Sequence, residues 1–375
     1  MIRKIMTTYW TVFLCLAPGY AHAYRLGNIE ITPRAKVTQT YDSNITYTKD
    51  NVKKDWKTAL GFGFDAIYDA KTIIISGSAN VRREIFNKNN NFNNTSEDFT
   101  ISSQSEFSKY DRLSLTDSFV HAEEPRSFED QFGRMSGRYS YLRNTFGGTY
   151  TRDLTKQLSA ILRYGNTIDN YSRKDFVDSY MNNVGAQLDY AISSKVILLG
   201  AYDFYRRDFD NGPHARINTP AVGARYFFTS QLYADGMAGV NFTRSYSGKG
   251  QTKPMFSASI TNEFDKNSAA KLSFTKSNSA VSYAEDIFSS WRVSGSMNRQ
   301  LLERLGGSAS VFYGEGKYSG SDVNDELKGA SGGLTYDIRE NIKANVNYNF
   351  SRRDSNVRTR EYIKHVGTLG ITVEF

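Results

Sequence analysis

Histidine, cysteine and clustered acidic side chains are the groups in this chain that could perform chemistry, and they are sparse. The four histidines are His22, His121, His214 and His365, and they lie far apart in the sequence. None belongs to a cluster with the spacing of metal ligands. No G-x-S-x-G element and no phosphate-binding loop occurs either.

Two local groupings come nearest to a reactive site. His214 lies close to Asp208 and Asp210, but one loop holding all three is better explained as solvated charge. The run Asp322–Glu326 offers several oxygen ligands, yet their spacing does not match a defined calcium loop. The sequence therefore predicts no enzyme, no metal site and no cofactor.

The first residues have the pattern of a secretory signal peptide. Arg3 and Lys4 are basic, residues 5–16 are mostly apolar, and Ala21 and Ala23 form an A-x-A cleavage site. An N-terminal membrane anchor is the alternative, but the apolar stretch is too short to span a bilayer as a helix. We therefore predict cleavage after residue 23.

The predicted mature chain, residues 24–375, forms one domain. The single cysteine, Cys15, falls within the predicted signal peptide, so this domain has no disulfide and no thiol nucleophile. The formal charge of +8 is modest and scattered along the chain, so we expect no nucleic-acid partner.

Composition favours strands over helices. The chain has 25 Tyr, 24 Phe and 29 Gly but only 6 Pro, and no apolar run is long enough for a transmembrane helix. Segments of about ten residues with alternating hydrophobicity recur from end to end, which is typical of strands with a lipid-facing side and a wet side. The sequence predicts an all-β fold, a transmembrane antiparallel up-and-down β-barrel.

We count eighteen strands, although sixteen remain possible. Eight short turns alternate with nine long loops, and an even count places both chain ends on the periplasmic side. The barrel must close, because an open edge in lipid would leave unpaired backbone groups. The long loops are predicted at 42–55, 87–95, 122–137, 166–178, 207–217, 244–253, 276–287, 315–325 and 351–360.

The C-terminal segment resembles the closing strand of bacterial outer-membrane barrels. Leu369, Ile371, Val373 and Phe375 alternate onto one face of a strand. In such barrels the terminal aromatic residue is the signal that the barrel-assembly machinery reads. The resemblance therefore implies insertion in the outer membrane of a Gram-negative bacterium, with Phe375 as the assembly signal.

The opposite face of each predicted strand is polar and should line a water-filled lumen. Its charges are nearly balanced, so they either pair across the lumen or offer hydrogen bonds to a hydroxyl-rich or acidic solute. Three tyrosines on the same face could stack on sugar rings. The candidate lining residues are Arg34, Lys36, Arg82, Arg143, Arg163, Arg207, Arg225, Arg292, Asp203, Asp235, Tyr141, Tyr205 and Tyr233.

A short motif follows the first strand. Tyr41-Asp-Ser-Asn-Ile45, followed by Asp55-Trp56, resembles the opening of the first outer loop in the putative β-barrel porin 2 family. Several members of that family are associated with exopolysaccharide export. The resemblance implies a passive conduit for a polysaccharide cargo that works with a periplasmic polysaccharide export protein. For the motif itself we expect a structural role, since Asp and Asn cap turns and Tyr marks the membrane interface.

Three functions remain open, and each predicts a different lumen. A polymer conduit predicts a wide, hydrophilic lumen with little charge bias, which the predicted lining has. A diffusion porin for small hydrophilic solutes predicts a long loop folded inward, for which 122–137 is the candidate. A structural or adhesive barrel predicts a plugged lumen, with function in the outer loops 87–95 and 351–360.

Overall fold

The computed structural model describes residues 23–134, 136–173, 176–210, 212, 214–244, 250–281 and 286–375. Residues 1–22, which hold almost all of the predicted signal peptide, lie outside this set. The described strands are β1 (Tyr24–Leu26), β2 (Ile29–Asp42), β3 (Asp55–Ala70), β4 (Ile73–Phe86), β5 (Asn94–Ser108), β6 (Asp111–Ala122), β7 (Tyr141–Asp153), β8 (Leu158–Tyr171), β9 (Ser179–Ala191), β10 (Val196–Phe209), β11 (His214–Phe227), β12 (Leu232–Arg244), β13 (Gly250–Asp265), β14 (Ser268–Val281), β15 (Asp286–Leu302), β16 (Leu305–Tyr318), β17 (Asn324–Arg339), β18 (Ile342–Ser355) and β19 (Tyr362–Glu374).

Strands β2–β19 form a closed antiparallel barrel, which confirms the predicted fold and strand count. Each strand pairs with the next, and β19 returns to β2 with Glu374 opposite Arg34 and Val366 opposite Asp42. The Phe375 amide extends this seam by donating to the Pro33 carbonyl oxygen at 2.8 Å. Closure pairs the two outermost of the described barrel strands with each other, so that their backbone groups are satisfied within the bilayer.

One strand was not predicted. β1 pairs antiparallel with the start of β2, from Tyr24 opposite Ile31 to Leu26 opposite Ile29. The turn between them uses Gly27 at φ +61°, a backbone conformation that favours glycine. β1 thus adds a short strand outside the ring of eighteen.

The outer surface of the barrel is apolar. Phe62 is 63% exposed and Leu369 is 58% exposed, and similar residues alternate with inward polar ones on neighbouring strands. Large apolar side chains left open to this extent fit a lipid-facing belt. Within the described ranges, no helix has the length and apolar character needed to cross a bilayer.

The connections alternate as predicted, but the strands are longer than the apolar pattern indicated. The predicted loop 207–217, for example, shrinks because β10 continues to Phe209 and β11 begins at His214. The prediction for this loop is wrong because polar residues near the strand ends, such as Arg207 on β10, face the lumen and continue the strand. Three of the short turns share one device, a hydroxyl that accepts backbone N–H groups two and three residues later. These hydroxyls belong to Thr155, Ser193 and Thr229.

The Tyr41–Ile45 motif has the turn-capping contacts expected of it. The Asp42 carboxylate accepts a hydrogen bond from the Asn44 backbone N–H at 2.9 Å. The side-chain amide of Asn44 donates to the Thr48 and Ile363 carbonyl oxygens at 2.7 and 3.0 Å. Ile45 is fully buried beneath this turn. The motif therefore fixes the first long loop against β19.

Candidate functional site: the inward loop and the channel lining

The loop between β6 and β7, residues 123–140, folds into the barrel. It carries a one-turn helix, α1 (Phe128–Gln131), whose first turn is capped by the Ser127 hydroxyl accepting the Asp130 amide at 3.0 Å. Phe128 packs with Phe312 on β16 and with Leu327 on β17. The shorter way around the wall from β6 to β17 passes β5, β4, β3, β2, β19 and β18. The loop therefore crosses the lumen and docks on the far wall.

Two glycines on that wall make room for the phenylalanines of the loop. A Cβ atom at Gly329 would lie 2.4 Å from the Phe128 ring, and one at Gly314 would lie 2.9 Å from the Phe132 ring. Separations below 3.0 Å require atoms to move, so only glycine fits both positions with the loop in place. The wall is shaped to receive the loop.

Polar contacts hold the same loop through its backbone. The Arg353 guanidinium donates to the Arg134 carbonyl oxygen at 2.6 Å and to the Ser136 hydroxyl at 3.0 Å, and it also bonds the Gln131 carbonyl oxygen. The Tyr318 hydroxyl donates to the Gly133 carbonyl oxygen at 3.0 Å. These buried bonds satisfy carbonyls that the crossing removes from water.

A second buried arginine of this wall, Arg360, also contacts the loop and is held by an ion pair. The Ser136 hydroxyl donates to the Arg360 carbonyl oxygen at 2.6 Å, and the Arg360 guanidinium is ion-paired with Asp325. Arg360 and Asp325 are both only 1% exposed. Because breaking a buried pair leaves an uncompensated charge, these groups support the docked position strongly.

A second inward element meets the loop beside the wall on which the loop docks. The outer ends of β14 and β15 bend inward, so that Ala280 and Ile287 pack against Ala215 on β11. The Arg207 guanidinium donates to the Ala280 carbonyl oxygen at 2.8 Å. Next to Ile287, Phe288 contacts Phe132 of the loop with ring centroids 5.0 Å apart. A packed chain of side chains thus joins the β10–β11 wall to the β16–β17 wall.

Charged groups fasten the first residues of the loop. The Glu124 carboxylate lies 3.0 Å from Lys57, 2.8 Å from Arg138 and 3.5 Å from Lys364. Burial acts to raise the pKa of Glu124, but these three cations outweigh burial and hold that pKa well below its usual range. The carboxylate is therefore ionised at neutral pH and ties the loop to β3 and β19.

A second group of ion pairs holds α1 to β7, β8 and β10. The Arg143 guanidinium bridges Asp130 of α1 at 2.9 Å and Asp169 of β8 at 2.5 Å, and Arg207 also binds Asp169 at 2.5 Å. Two residues predicted to line the lumen, Arg143 and Arg207, are therefore engaged in holding inward elements. Their ion pairs fit the expectation that lumen charges pair with one another.

The half of the lumen nearer the short turns keeps a more exposed charged lining. Arg34 pairs with Asp65 at 2.6 Å, and both side chains remain partly exposed. Similar pairs link Arg163 with Asp203 at 3.2 Å and Arg225 with Asp235 at 2.6 Å.

Beside the loop, a cavity of about 270 Å³ opens against the β4–β6 wall. Arg82, Arg126 and Arg138 line it together with Glu84. Arg126 is also ion-paired with Asp98 on β5 at 3.3 Å. Because both charge signs are present, this wall can bind polar and charged solutes without strong ionic preference.

The strand register places the predicted lining residues on one face, although their environments differ. Tyr141 is buried against the loop, with its hydroxyl donating to the Glu124 carbonyl oxygen at 3.3 Å. Tyr205 packs against the inward tip of β14 and β15. Tyr233 keeps a half-buried place near Arg225, with 5.5 Å from the guanidinium to its ring centroid. Only Tyr233 of the three is then placed to stack on a solute.

The remaining sequence candidates form no reactive group. Asp208, opposite His214 in the β10–β11 register, is bound by the Arg206 guanidinium at 2.7 Å. Asp325 of the acidic run is ion-paired with Arg360. Lys36 and Arg292 lie on the inner face by register, opposite Thr372 and Gly314.

The family model described as putative beta-barrel porin 2 matches residues 275–375. The resemblance inferred from residues 41–56 is thus confirmed over a different part of the chain, which spans the wall that receives the loop. No curated protein sequence matches the chain. The family match and the closed barrel with its apolar belt locate the protein in the outer membrane of a Gram-negative bacterium.

Similar solved structures include several outer-membrane barrels. OccK2 (OpdF) of Pseudomonas aeruginosa, crystallised in complex with glucuronate, is 9% identical, with 93% of this chain and 99% of that chain covered and a TM-score of 0.49. OccAB3 of Acinetobacter baumannii is 10% identical, with 92% and 99% covered and a TM-score of 0.45. The siderophore receptor PirA of Pseudomonas aeruginosa is 8% identical, with 92% and 80% covered and a TM-score of 0.47.

Proposed function

We propose that this protein is a diffusion channel for small hydrophilic solutes, in which the loop 123–140 sets the cross-section. The observation that carries the proposal is the docking of Phe128 and Phe132 on the wall opposite the strands that bear the loop. A loop folded inward is the feature that separates a diffusion porin from an open conduit. The channel itself requires no catalytic residue, and none is assigned to it.

Export of a polysaccharide is the weaker alternative. A polymer chain needs a wide and continuous lumen, whereas here two inward elements occupy part of the lumen and meet beside β16 through Phe132 and Phe288. A partnership with a periplasmic polysaccharide export protein is expected only if the protein exports a polysaccharide. Assembly by the barrel-assembly machinery, with Phe375 as the signal, belongs to both proposals.

The solute class follows from the lining. Partly exposed ion pairs such as Arg34–Asp65 and Arg163–Asp203 present hydrogen-bond donors and acceptors and charges of both signs. A neutral polyol, a sugar or a zwitterion can exchange its water for these groups at little cost, while an apolar solute cannot. We therefore expect permeation to depend on size first and on charge second.

The test compares two neighbouring arginines. Arg353 holds the loop from inside the barrel, whereas Arg352 lies on the other face and pairs with Asp354 at 2.8 Å. In proteoliposomes, R353A should pass larger neutral sugars than the wild type, and R352A should match the wild type. Two results together would favour polysaccharide export over diffusion. The wild-type protein would admit no small sugar in proteoliposomes, and cells would lose surface polysaccharide when the gene is deleted.

A further inference from the structure

Three side chains on the outside of the barrel form a geometry that the channel does not use. His121 on β6 places its Nε2 atom 3.1 Å from the Ser140 hydroxyl oxygen, which lies just before β7. The Nδ1 atom of the same ring lies 3.7 Å from a carboxylate oxygen of Glu97, the register partner of His121 on β5. A hydroxyl, an imidazole and a carboxylate in this order are the parts of a hydrolytic triad.

The group faces away from the lumen. Asp98 and Val120, the next residues along β5 and β6, lie on the inner face, so Glu97 and His121 point outward. Phe99 and Phe119, two residues further from the loop ends of these strands, also lie on the outer face. The three side chains therefore sit at the edge of the apolar belt, at the end of the barrel that carries the long loops.

A cavity joins these groups to that belt. It has a volume of about 260 Å³, and its lining includes His121, Ser140, Phe119, Leu142 and Asn170. Phe119 and Leu142 give it an apolar side, while the Asn170 amide supplies N–H donors on the same outward face. A site of this kind can hold an acyl chain and a polar carbonyl at once.

The backbone that carries the serine is fixed. The Ser140 carbonyl oxygen accepts both the backbone amide and the hydroxyl of Ser172, each at 3.0 Å. These two bonds hold the last residue of the loop against the end of β8. The hydroxyl of Ser140 is thus held towards His121 by ordered structure.

We propose that Ser140, His121 and Glu97 form a catalytic triad that hydrolyses acyl esters of lipids in the outer leaflet. The Ser140 oxygen attacks the ester carbonyl carbon while His121 Nε2 takes the hydroxyl proton. The lipid alcohol leaves with that proton, and an acyl-serine remains. Water then adds to the acyl carbon, gives its proton to His121, and releases a fatty acid as the proton returns to Ser140.

Glu97 has an electrostatic part in this cycle. The imidazole becomes positively charged in each half-reaction, and a carboxylate 3.7 Å from Nδ1 stabilises that charge. The Asn170 amide is the side-chain donor placed to receive the developing oxyanion within the same cavity. This activity is independent of the channel, because its groups lie on the other face of the wall.

The experiment uses the full-length protein folded in detergent–lipid micelles. A fluorophosphonate probe should label the wild type on Ser140, and fatty acid should be released from a presented lipid. Separate arms present vesicles of phosphatidylethanolamine and dispersions of an acylated glucosamine lipid, which distinguish the two sources of an outer-leaflet ester. S140A and H121N should each lower release by about 10³-fold or more, and E97Q by a smaller factor.

The matched control is H365Q. His365 also faces outward on a strand, but its ring is hydrogen-bonded to the Tyr348 hydroxyl at 2.8 Å, and the nearby Ser43 hydroxyl accepts the His365 backbone N–H at 2.8 Å. Heat-modifiable migration on a gel confirms that each variant is folded, and unchanged conductance of H121N, whose position lies on β6 outside the loop 123–140, shows that the channel is intact. Loss of labelling and release in S140A and H121N, with H365Q active, supports the triad. Wild-type protein that is not labelled and releases fatty acid from neither lipid overturns it.

Discussion

The two halves of the lumen are built from the same strands and the same residue types, yet they differ in what covers them. Near the long loops, Arg353 is 2% exposed and its donors meet backbone carbonyls of the inward loop. Near the short turns, the side chain of Arg34 is 26% exposed and pairs with Asp65, whose side chain is 37% exposed. The alternation of the strands sets which residues face inward, but an element inserted from another strand pair decides which of them remain available to a solute.

The largest change should come from removing the inserted element. Replacing residues 125–137 by a short Gly-Ser linker takes away α1, its phenylalanines and the acceptors of Arg353. The single-channel conductance should rise several-fold, because the far wall then lines open water. A folded barrel with unchanged conductance would mean that the loop is not the constriction.

A smaller effect should follow from adding a methyl group at Gly329, against which the Phe128 ring packs. In G329A the added Cβ would lie 2.4 Å from the Phe128 ring, so α1 must shift from the wall. Conductance should increase and fluctuate more than in the wild type. The control is G332A on the same strand, where the nearest atom to the new Cβ is 3.9 Å away and no change is expected.

The next effect in size should come from lowering the pH, which should weaken the attachment of the loop to the barrel wall. The pKa of Glu124 is held well below its usual range, so the stabilisation it provides is fully present above about pH 4.3, the ordinary value. That stabilisation declines as the pH falls below this value and is fully lost once the pH has passed the lower folded-state pKa. Channel noise measured from pH 7 downward should therefore stay flat to about pH 4 and rise below it.

The variant E124Q sharpens the acid test. It removes the negative charge at every pH, so its noise should already be raised at pH 7. E361Q is the control, because Glu361 pairs with Lys49, a side chain that is half exposed, and such pairs contribute about 0–1 kcal/mol. Equal noise in E124Q and E361Q would contradict the role given to Glu124.

The smallest effect should come from the turn-end half. D65N breaks one partly exposed pair with Arg34 and leaves the inward loop untouched. We expect a modest shift of ion preference towards anions and no change in the largest sugar admitted. Reversal potentials across a salt gradient and liposome swelling measure the two quantities separately.

The barrel was predictable because apolar and polar residues alternate with a period of two along each strand. Leu369, Ile371 and Val373 alternate with polar neighbours, and the same rule assigned Arg34 and Asp203 to the lumen. The loop 122–137 was a candidate for inward folding by its length and charge alone. Its docking site could not be predicted, because the fit of Phe128 to Gly329 depends on two segments 201 positions apart whose approach only the closed barrel defines.

The outward group was missed for a related reason. Glu97, His121 and Ser140 follow no motif, and they meet because β5, β6 and β7 are neighbours in register. Sequence proximity pointed instead to His214 and Asp208, where Arg206 binds the carboxylate. A signal that could have found the true neighbours is the register itself, which pairs Glu97 with His121 once both strands are aligned.

The crossing of the lumen is tested most directly by chemical cross-linking in the outer membrane. Gln131 in α1 accepts a bond from the Tyr362 hydroxyl at 2.8 Å, while Ile363 next to it faces outward. The predicted mature chain contains no other cysteine, so the pair Q131C/Y362C can be joined by a short bis-maleimide without background. Efficient cross-linking of Q131C/Y362C with none for Q131C/I363C is the predicted result, and the absence of a cross-link in the first pair, in a folded barrel, would contradict the docked loop.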